Sequence, residues 1–208
     1  MSAGTVGRAS GYRLLGDRTF GYFSSGLGYS RPMKVAAYQA PLLAAGSLES
    51  IDLIEERVTW CESEGVSILC CPEAVVGGLA DYAEYPARFA IRTDDGQLAR
   101  VPAPLTSDSV TSIVGFTELA DNDQLYNAAA VFHRGRVAGL YRKLHPAIRR
   151  SVYSPGSATP VFRAGELTFG IAITARSQIA TTILMRFVHS GQKETSDFAT
   201  KAAYSQNA

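Results

Sequence analysis

Two ionisable residues stand at the ends of apolar runs that predict strands. Glu73 follows the run VSILCC and one proline, and Lys143 closes the run VAGLYRK. A carboxylate at a strand end can act as a general base, and a lysine can stabilise a developing negative charge. Layered α/β folds place their sites at the carboxyl ends of strands. Either residue alone is equally typical of a solvated loop.

Other residue types able to carry chemistry are few. Cys61, Cys70 and Cys71 suggest a thiol nucleophile or a metal pair, but no partner lies at zinc-like spacing. Neighbouring strand residues face opposite ways, so at least one of Cys70 and Cys71 must point into the core. We predict that these two thiols act as small buried hydrophobic groups, with no metal and no cofactor. His145 has no evident serine or aspartate partner, so no serine triad is predicted and its role is structural.

The elements that must position Glu73 and Lys143 alternate between strand and helix. KVAAYQA predicts a strand, and SLESIDLIEERVTWCESEG predicts an amphipathic helix with apolar residues at helical spacing. VSILCC predicts a second buried strand that Pro72 ends. This strand–helix–strand order indicates a layered α/β fold.

Strands dominate the sequence that follows. TSIVGFTE predicts a third strand, and LYNAAAVF with VAGLYRK predicts a hairpin that turns at residues 134–136. TPVFRAGELTFGIAI predicts a further strand pair that turns at residues 164–166. The globular part is therefore predicted to span about residues 33–173.

The two ends of the chain differ from this part. Residues 1–32 are rich in Gly, Ser, Tyr and Arg and predict a disordered extension, with a transit peptide as the alternative. In residues 174–208 we predict a short helix, with Ile179, Ile183 and Phe187 on one face, followed by a disordered polar tail. Both ends are thus expected to be flexible.

Composition limits the partners of the chain. The net charge is +1, and no apolar run is long enough to span a membrane, so we expect no membrane association. Three cysteines, two of them adjacent, make a poor disulfide framework and favour a reducing, cytoplasmic location. One stretch, residues 134–163, holds basic residues and no acid, which suggests an anion or nucleic-acid surface as a less favoured alternative. Its basic residues are Arg134, Arg136, Arg142, Lys143, Arg149, Arg150 and Arg163.

Taken in order, these segments resemble the nitrilase superfamily of carbon–nitrogen hydrolases. The matching motifs are MKVAAYQAPL, CPEAVVGG, IVGFTE, LYNAAAVFHRGRVAGLYRKLHP and SPGSATPVFRAGELTFGIAI. The resemblance covers residues 33–173 and implies an α/β fold, an α-β-β-α sandwich of which this chain holds a part. It also implies a small amide or nitrile substrate, a homo-oligomer and no cofactor.

The resemblance implies roles for three positions. In the family a cysteine thiolate attacks the amide or nitrile carbon, a glutamate serves as general base and a lysine stabilises the tetrahedral intermediate. Glu73 matches the glutamate and Lys143 matches the lysine. Thr174 stands where the family has its cysteine, and Arg176 stands where it has an acidic residue. A threonine hydroxyl is far less acidic than a thiol, so we expect the chain to be inactive.

The joint loss of these features suggests a changed continuation of the chain. We expect residues 174–208 to come from a frameshift, an alternative splice or a gene-model error, which leaves the hydrolase domain incomplete. The first reading is thus an amidase-like family member without its nucleophile. The alternatives are a non-catalytic scaffold that joins other subunits and a binder of anions or nucleic acid.

Overall fold

The computed structural model describes most of the chain between residues 34 and 175 and short strands on either side. The described residues are 12–15, 18–21, 34–41, 43–44, 46–93, 96, 98, 105, 107–134, 136–146, 151–165, 167–175, 180–188 and 195–203. No helix among these residues is both long enough and apolar enough to cross a membrane.

A six-stranded mixed sheet forms the centre of the molecule. Its strands are β3 (Val35–Ala37), β4 (Ile68–Cys70), β5 (Ile91–Arg92), β6 (Thr111–Leu119), β7 (Leu125–His133) and β8 (Arg136–Arg142). The order is β3-β4-β6-β7-β8, and β5 pairs with the far end of β6. Strands β3, β4 and β6 run parallel, whereas β6, β7 and β8 form an antiparallel meander. The third strand and the hairpin predicted from the sequence are both confirmed.

One helix covers the first face of this sheet. Helix α1 (Glu49–Ser63) connects β3 to β4 and buries Ile51, Ile54, Val58 and Cys61. These side chains pack on Leu69, Val114, Phe116 and other residues of the same sheet face. Their spacing of three and four residues places them on one side of the helix, so burying them fixes the helix on the sheet.

A second, antiparallel sheet covers the other face. It has the order β12-β11-β10-β9 and consists of β9 (Val161–Ala164), β10 (Leu167–Ala175), β11 (Ala180–Val188) and β12 (Thr195–Ala203). Alternate residues of β10, from Leu167 to Ile173, pack on Ile113, Val131 and Tyr141 of the central sheet. The α-β-β layering confirms the predicted α/β sandwich architecture.

The prediction of a short helix beyond residue 174 is wrong. Ile183 and Phe187 lie on β11, which pairs along its length with β10, while Ile179 lies outside the described residues. A spacing of four puts two residues on one side of either a helix or a strand, so this pattern could not separate the two structures. The β-branched run Thr181, Thr182, Ile183 favours the strand.

Short strands are also present where the sequence predicts disorder. β1 (Tyr12–Leu15) and β2 (Arg18–Gly21) form an antiparallel pair within residues 1–32, and β12 lies in the polar tail. Composition underestimated local pairing in these segments because a turn between two short strands needs few apolar residues. Strand β10 also continues to Ala175, two residues past the predicted end at Ile173.

Candidate active site

Glu73 lies on a short loop that is fixed to β6 at both ends. The N–H of Cys71 donates to the carbonyl of Ile113 (2.8 Å), and the N–H of Val76 donates to that of Gly115 (3.1 Å). The loop residues between these two bonds arch over the sheet. Ala74, directly after Glu73, has a φ of 46°, a left-handed conformation that is unusual for alanine. Such local strain persists only where the surrounding structure holds it in place.

Gly115 provides the room for this loop. A Cβ at position 115 would lie 2.6 Å from the backbone N of Ala74 and 2.9 Å from the Cα of Glu73. Both distances are shorter than any van der Waals contact of a carbon atom. The glycine therefore allows the backbone of the Glu73 loop to rest directly on β6.

Three polar residues form a row across the same face of the central sheet. Thr117 of β6 pairs with Asn127 of β7. The register then brings Lys143, one residue past β8, opposite Asn127, and the Lys143 N–H donates to the Asn127 carbonyl (2.8 Å). By strand alternation this row continues the residues that face the second sheet. The hairpin thus carries Lys143 to the arch that holds Glu73.

The Glu73 carboxylate accepts hydrogen bonds from two members of this row. Its Oε1 lies 2.7 Å from Lys143 Nζ and 2.5 Å from Asn127 Nδ2. All three residues are buried: Glu73 is 3% exposed, Lys143 is 5% exposed and Asn127 is 2% exposed. A buried ion pair is stable only when hydrogen bonds complete it, and Asn127 supplies one here. The predicted base and the predicted lysine are therefore brought together away from bulk water.

Asn127 was missed by the sequence reasoning. It is the only strongly polar residue inside the apolar run LYNAAAVF, and it stands opposite Lys143 in the predicted hairpin. A buried amide needs a partner, so its position on an otherwise apolar strand was the signal that could have identified it.

A second charged cluster lies on the opposite face of the sheet. Arg142 donates from Nε and Nη2 to the two carboxylate oxygens of Glu118, each at 2.7 Å, and Thr93 Oγ1 donates to Glu118 Oε1. The Arg142 guanidinium also lies 4.1 Å from the ring centroid of Tyr126. Hydrogen bonding to Glu118 raises the pKa of Arg142. This cluster fixes the end of β8, from which Lys143 emerges.

These pairings change the interpretation of the basic stretch 134–163. Arg142 and Lys143 are engaged by buried carboxylates, and Arg149 and Arg150 lie outside the described residues. Exposed basic side chains remain at the β7–β8 turn, Arg134 and Arg136, and on β9, Arg163. The pairing of Arg142 and Lys143 weakens the nucleic-acid alternative, because a binding surface needs basic groups that can reach phosphates.

None of the three cysteines offers a thiolate. Cys61, Cys70 and Cys71 are buried and reduced, and burial was predicted for the strand pair. Desolvation raises the pKa of Cys61 to about 12 and raises the pKa values of Cys70 and Cys71 well above the usual value. Only the thiolate is a nucleophile, so these groups are inert in the folded chain. No cluster of metal-binding side chains is present among the described residues.

The thiols are expected to resist alkylation in the folded chain. Near pH 9, the ordinary pKa of a cysteine, an exposed thiol is half ionised, whereas these three stay protonated. Iodoacetamide should therefore label none of them until denaturant is added, after which it should label all three. Mass spectrometry of tryptic peptides reads the result. Rapid labelling of Cys71 in the folded chain would contradict this, and would place a reactive thiol two residues from Glu73.

Thr174 and His145 complete the predicted positions. Thr174 lies within β10 and pairs with Thr182 of β11, so the backbone continues as a strand through the position that the sequence resemblance assigns to the nucleophile. Arg176 lies outside the described residues. His145 is exposed two residues beyond Lys143.

Comparison with known proteins agrees with this arrangement of strands. The family model described as carbon-nitrogen hydrolase matches residues 34–185. The chain belongs to the carbon–nitrogen hydrolase family. The match to this hydrolase family runs past residue 173, where we expected it to end, and includes Thr174 and part of β11. A search of curated proteins finds no match.

Several solved structures share the hydrolase fold. A glutamine-dependent NAD+ synthetase from Acinetobacter baumannii has a TM-score of 0.56 at 23% identity, covering 68% of this chain and 27% of the synthetase. A cysteine-to-serine mutant of the Nesterenkonia amidase, from the nitrilase superfamily, has a TM-score of 0.55 at 17% identity, covering 68% of this chain and 56% of the amidase. The carbon–nitrogen hydrolase chain described here thus spans about a quarter to just over half the length of these two proteins.

Proposed function

We propose that this chain is an amide-directed carbon–nitrogen hydrolase domain that retains the base and the lysine of its site but lacks the nucleophile. The buried contact between Glu73 and Lys143, completed by Asn127, carries this proposal. A charged pair is costly to bury, and a purely structural site is often served as well by apolar residues. Its retention therefore favours a site inherited for chemistry.

In a complete site, Glu73 takes the proton of the attacking thiol, and the thiolate forms a bond to the carbonyl carbon. The carbonyl electron pair moves to oxygen, and Lys143 stabilises the resulting negative charge. The electron pair returns from oxygen and the C–N bond breaks as the proton on Glu73 passes to the leaving amine, which leaves a thioester. The same carboxylate then deprotonates a water molecule that attacks the thioester carbon, breaks the C–S bond and releases the acid and the thiol. In this chain Thr174 stands at the nucleophile position, and its hydroxyl is too weakly acidic to attack without stronger activation than one carboxylate provides. The chain alone is therefore inactive.

We favour an amide over a nitrile as the ligand. One structural neighbour is an amidase whose cysteine-to-alanine mutant holds butyramide, and another is a glutamine-dependent synthetase. An amide presents both a carbonyl oxygen, suited to Lys143, and an NH2 group, suited to a carboxylate such as Glu73. We further propose a reducing, cytoplasmic location, since all three thiols are reduced, and a homo-oligomer by analogy with the family.

The absence of an accessible thiol also favours a second role. A domain that keeps the scaffold and loses the nucleophile can serve as a non-catalytic subunit that binds other chains. Binding of a small amide separates the two roles, because a scaffold needs neither turnover nor such binding.

The chain is expected to bind butyramide without hydrolysing it. Ammonia release should equal that of buffer, because Thr174 stands in place of the cysteine that would form the acyl intermediate, whereas ligand-detected NMR should show saturation transfer to butyramide. In Glu73→Gln, checked for folding by circular dichroism, the transfer should weaken. Hydrolysis that is lost in Glu73→Gln would contradict the missing nucleophile. Absence of butyramide binding would favour the scaffold role.

A further inference from the structure

The segment after Lys143 returns to the site and is bonded to it at several points. The Gly156 N–H donates to the Lys143 carbonyl (2.9 Å), and the Ser154 N–H donates to the Leu125 carbonyl (2.8 Å). A Cβ on Gly156 would lie 2.8 Å from the Cβ of Arg142, so the segment packs closely on the end of β8. Tyr153 is thereby directed toward the loop that follows Glu73.

The hydroxyl of Tyr153 closes a short chain of hydrogen bonds. It accepts from the Ala80 N–H (2.7 Å) and lies 2.7 Å from Thr117 Oγ1, which itself donates to the Gly78 carbonyl (3.0 Å). Because Thr117 has a single hydroxyl proton and gives it to Gly78, Tyr153 must be the donor to Thr117. Both hydroxyl protons and the Ala80 N–H therefore have an acceptor within this series of hydrogen bonds.

These bonds join the two halves of the candidate active site. Gly78 and Ala80 follow Glu73 in the connection after β4, whereas Tyr153 belongs to the segment that follows Lys143. Thr117 is the end of the row that also holds Asn127 and Lys143. A second bond strengthens the same contact, since the Val152 N–H donates to Asp81 Oδ1 (2.8 Å).

We propose that Tyr153 is a positioning residue that holds the Glu73 loop against the row of Thr117, Asn127 and Lys143, and so keeps Glu73 and Lys143 paired. This inference deepens the proposed function, because it assigns a residue to the same site. Tyr153 acts on Glu73 and Lys143 through the loop and the sheet.

The ionisation state of the phenol suits this role. Burial raises the pKa of Tyr153 to about 12, so the hydroxyl keeps its proton over the physiological range and remains a donor to Thr117. A permanent donor gives a fixed contact, in contrast to a group that changes its hydrogen bonding near neutral pH.

Chemical labelling of Lys143 tests the proposal. In the folded chain Lys143 is buried against Glu73, so an amine-acylating reagent should modify it slowly, whereas the exposed Lys34 is modified fast. In Tyr153→Phe, the loss of the hydroxyl bonds should raise the rate at Lys143 about tenfold. The rates at Lys143 and Lys34 are read by peptide mass spectrometry.

Tyr126→Phe is the matched control. Tyr126 is as buried as Tyr153, at 7% against 6% exposed, and its hydroxyl also makes a hydrogen bond, to Gln124 Oε1 (2.6 Å). It lies on the opposite face of the sheet, and phenylalanine keeps the ring that the Arg142 guanidinium contacts, so Tyr126→Phe should leave the labelling rate of Lys143 unchanged. Alkylation of Cys61, which is fully buried on the side of α1 that faces the sheet, serves as the measure of global opening in every variant.

The outcomes separate positioning from general stability. In Tyr153→Phe, a faster acylation of Lys143 with no change in the alkylation rate of Cys61 supports the proposal. An unchanged rate at Lys143, or rates at Lys143 and Cys61 that rise together, overturns it and leaves Tyr153 with at most a structural role. Neither outcome depends on turnover, so failure of this inference is distinct from failure of the proposed function, which hydrolysis of butyramide would reveal.

Discussion

Replacing Lys143 with methionine is expected to lower the free energy of unfolding by about 3–5 kcal/mol, measured by urea denaturation. Methionine keeps much of the volume of the lysine stem but leaves the carboxylate of Glu73 buried without its cation. Asn127 still donates to Glu73, but one neutral hydrogen bond does not replace a charge. Glu73→Gln should be similarly costly because it leaves the ammonium of Lys143 buried.

A double-variant cycle shows whether the loss comes from the pair itself. The combined variant Glu73→Gln, Lys143→Met removes both charges and should be clearly more stable than the sum of the single losses implies. Asp123→Asn is the control, because Asp123 is mostly exposed and pairs with Arg92 at 3.3 Å; its cost should stay below about 1 kcal/mol. If Lys143→Met lowers the free energy of unfolding as little as the control does, the buried pair between Glu73 and Lys143 is not present.

Gly115→Ala is expected to destabilise the chain by about 3 kcal/mol, at the upper end of the range for overpacked sites. The added methyl group would meet the backbone of Ala74 and Glu73, which cannot move aside as a flexible side chain can. The Glu73 loop must shift, and the contact between Glu73 and Lys143 must lengthen. Acylation of Lys143 should therefore be faster in this variant.

Gly170→Ala on β10 is the control for this substitution. A Cβ at Gly170 has no neighbour within 4 Å outside the adjacent residues, so the same chemical change meets open space. Its effect on stability should be within about 0.5 kcal/mol, as for other unstrained surface substitutions. Equal effects of Gly115→Ala and Gly170→Ala would show that the Glu73 loop does not depend on Gly115.

Sequence patterns predicted the parts of the site that depend on strand ends. Glu73 and Lys143 each follow a run whose length and apolar character define a strand, so their meeting at the sheet follows from the hairpin and the strand–helix–strand unit. Asn127 could have been identified only as a polar residue on an apolar strand, and Gly115 and Tyr153 could not be placed from the sequence. Their roles depend on the register across β6, β7 and β8 and on the close approach of a loop, which local sequence does not encode.

The segment after Ile173 shows a different limit. Spacing of Ile183 and Phe187 fits a helix and a strand equally, and pairing with β10 decided between them. The hypothesis that residues 174–208 arise from a changed reading frame stays a prediction. Translation of the nucleotide sequence past codon 174 in the other two frames tests it, and the absence of a cysteine-containing family motif in both would reject it.

Intact-protein mass spectrometry tests the central claim most directly. The chain is incubated with butyramide, quenched in acid and weighed, so that any acyl-enzyme is trapped. A site with Glu73 and Lys143 but no nucleophile should leave the mass unchanged. A butyryl adduct that maps to Thr174 or to any of the three cysteines, and that disappears in Glu73→Gln, would contradict the account.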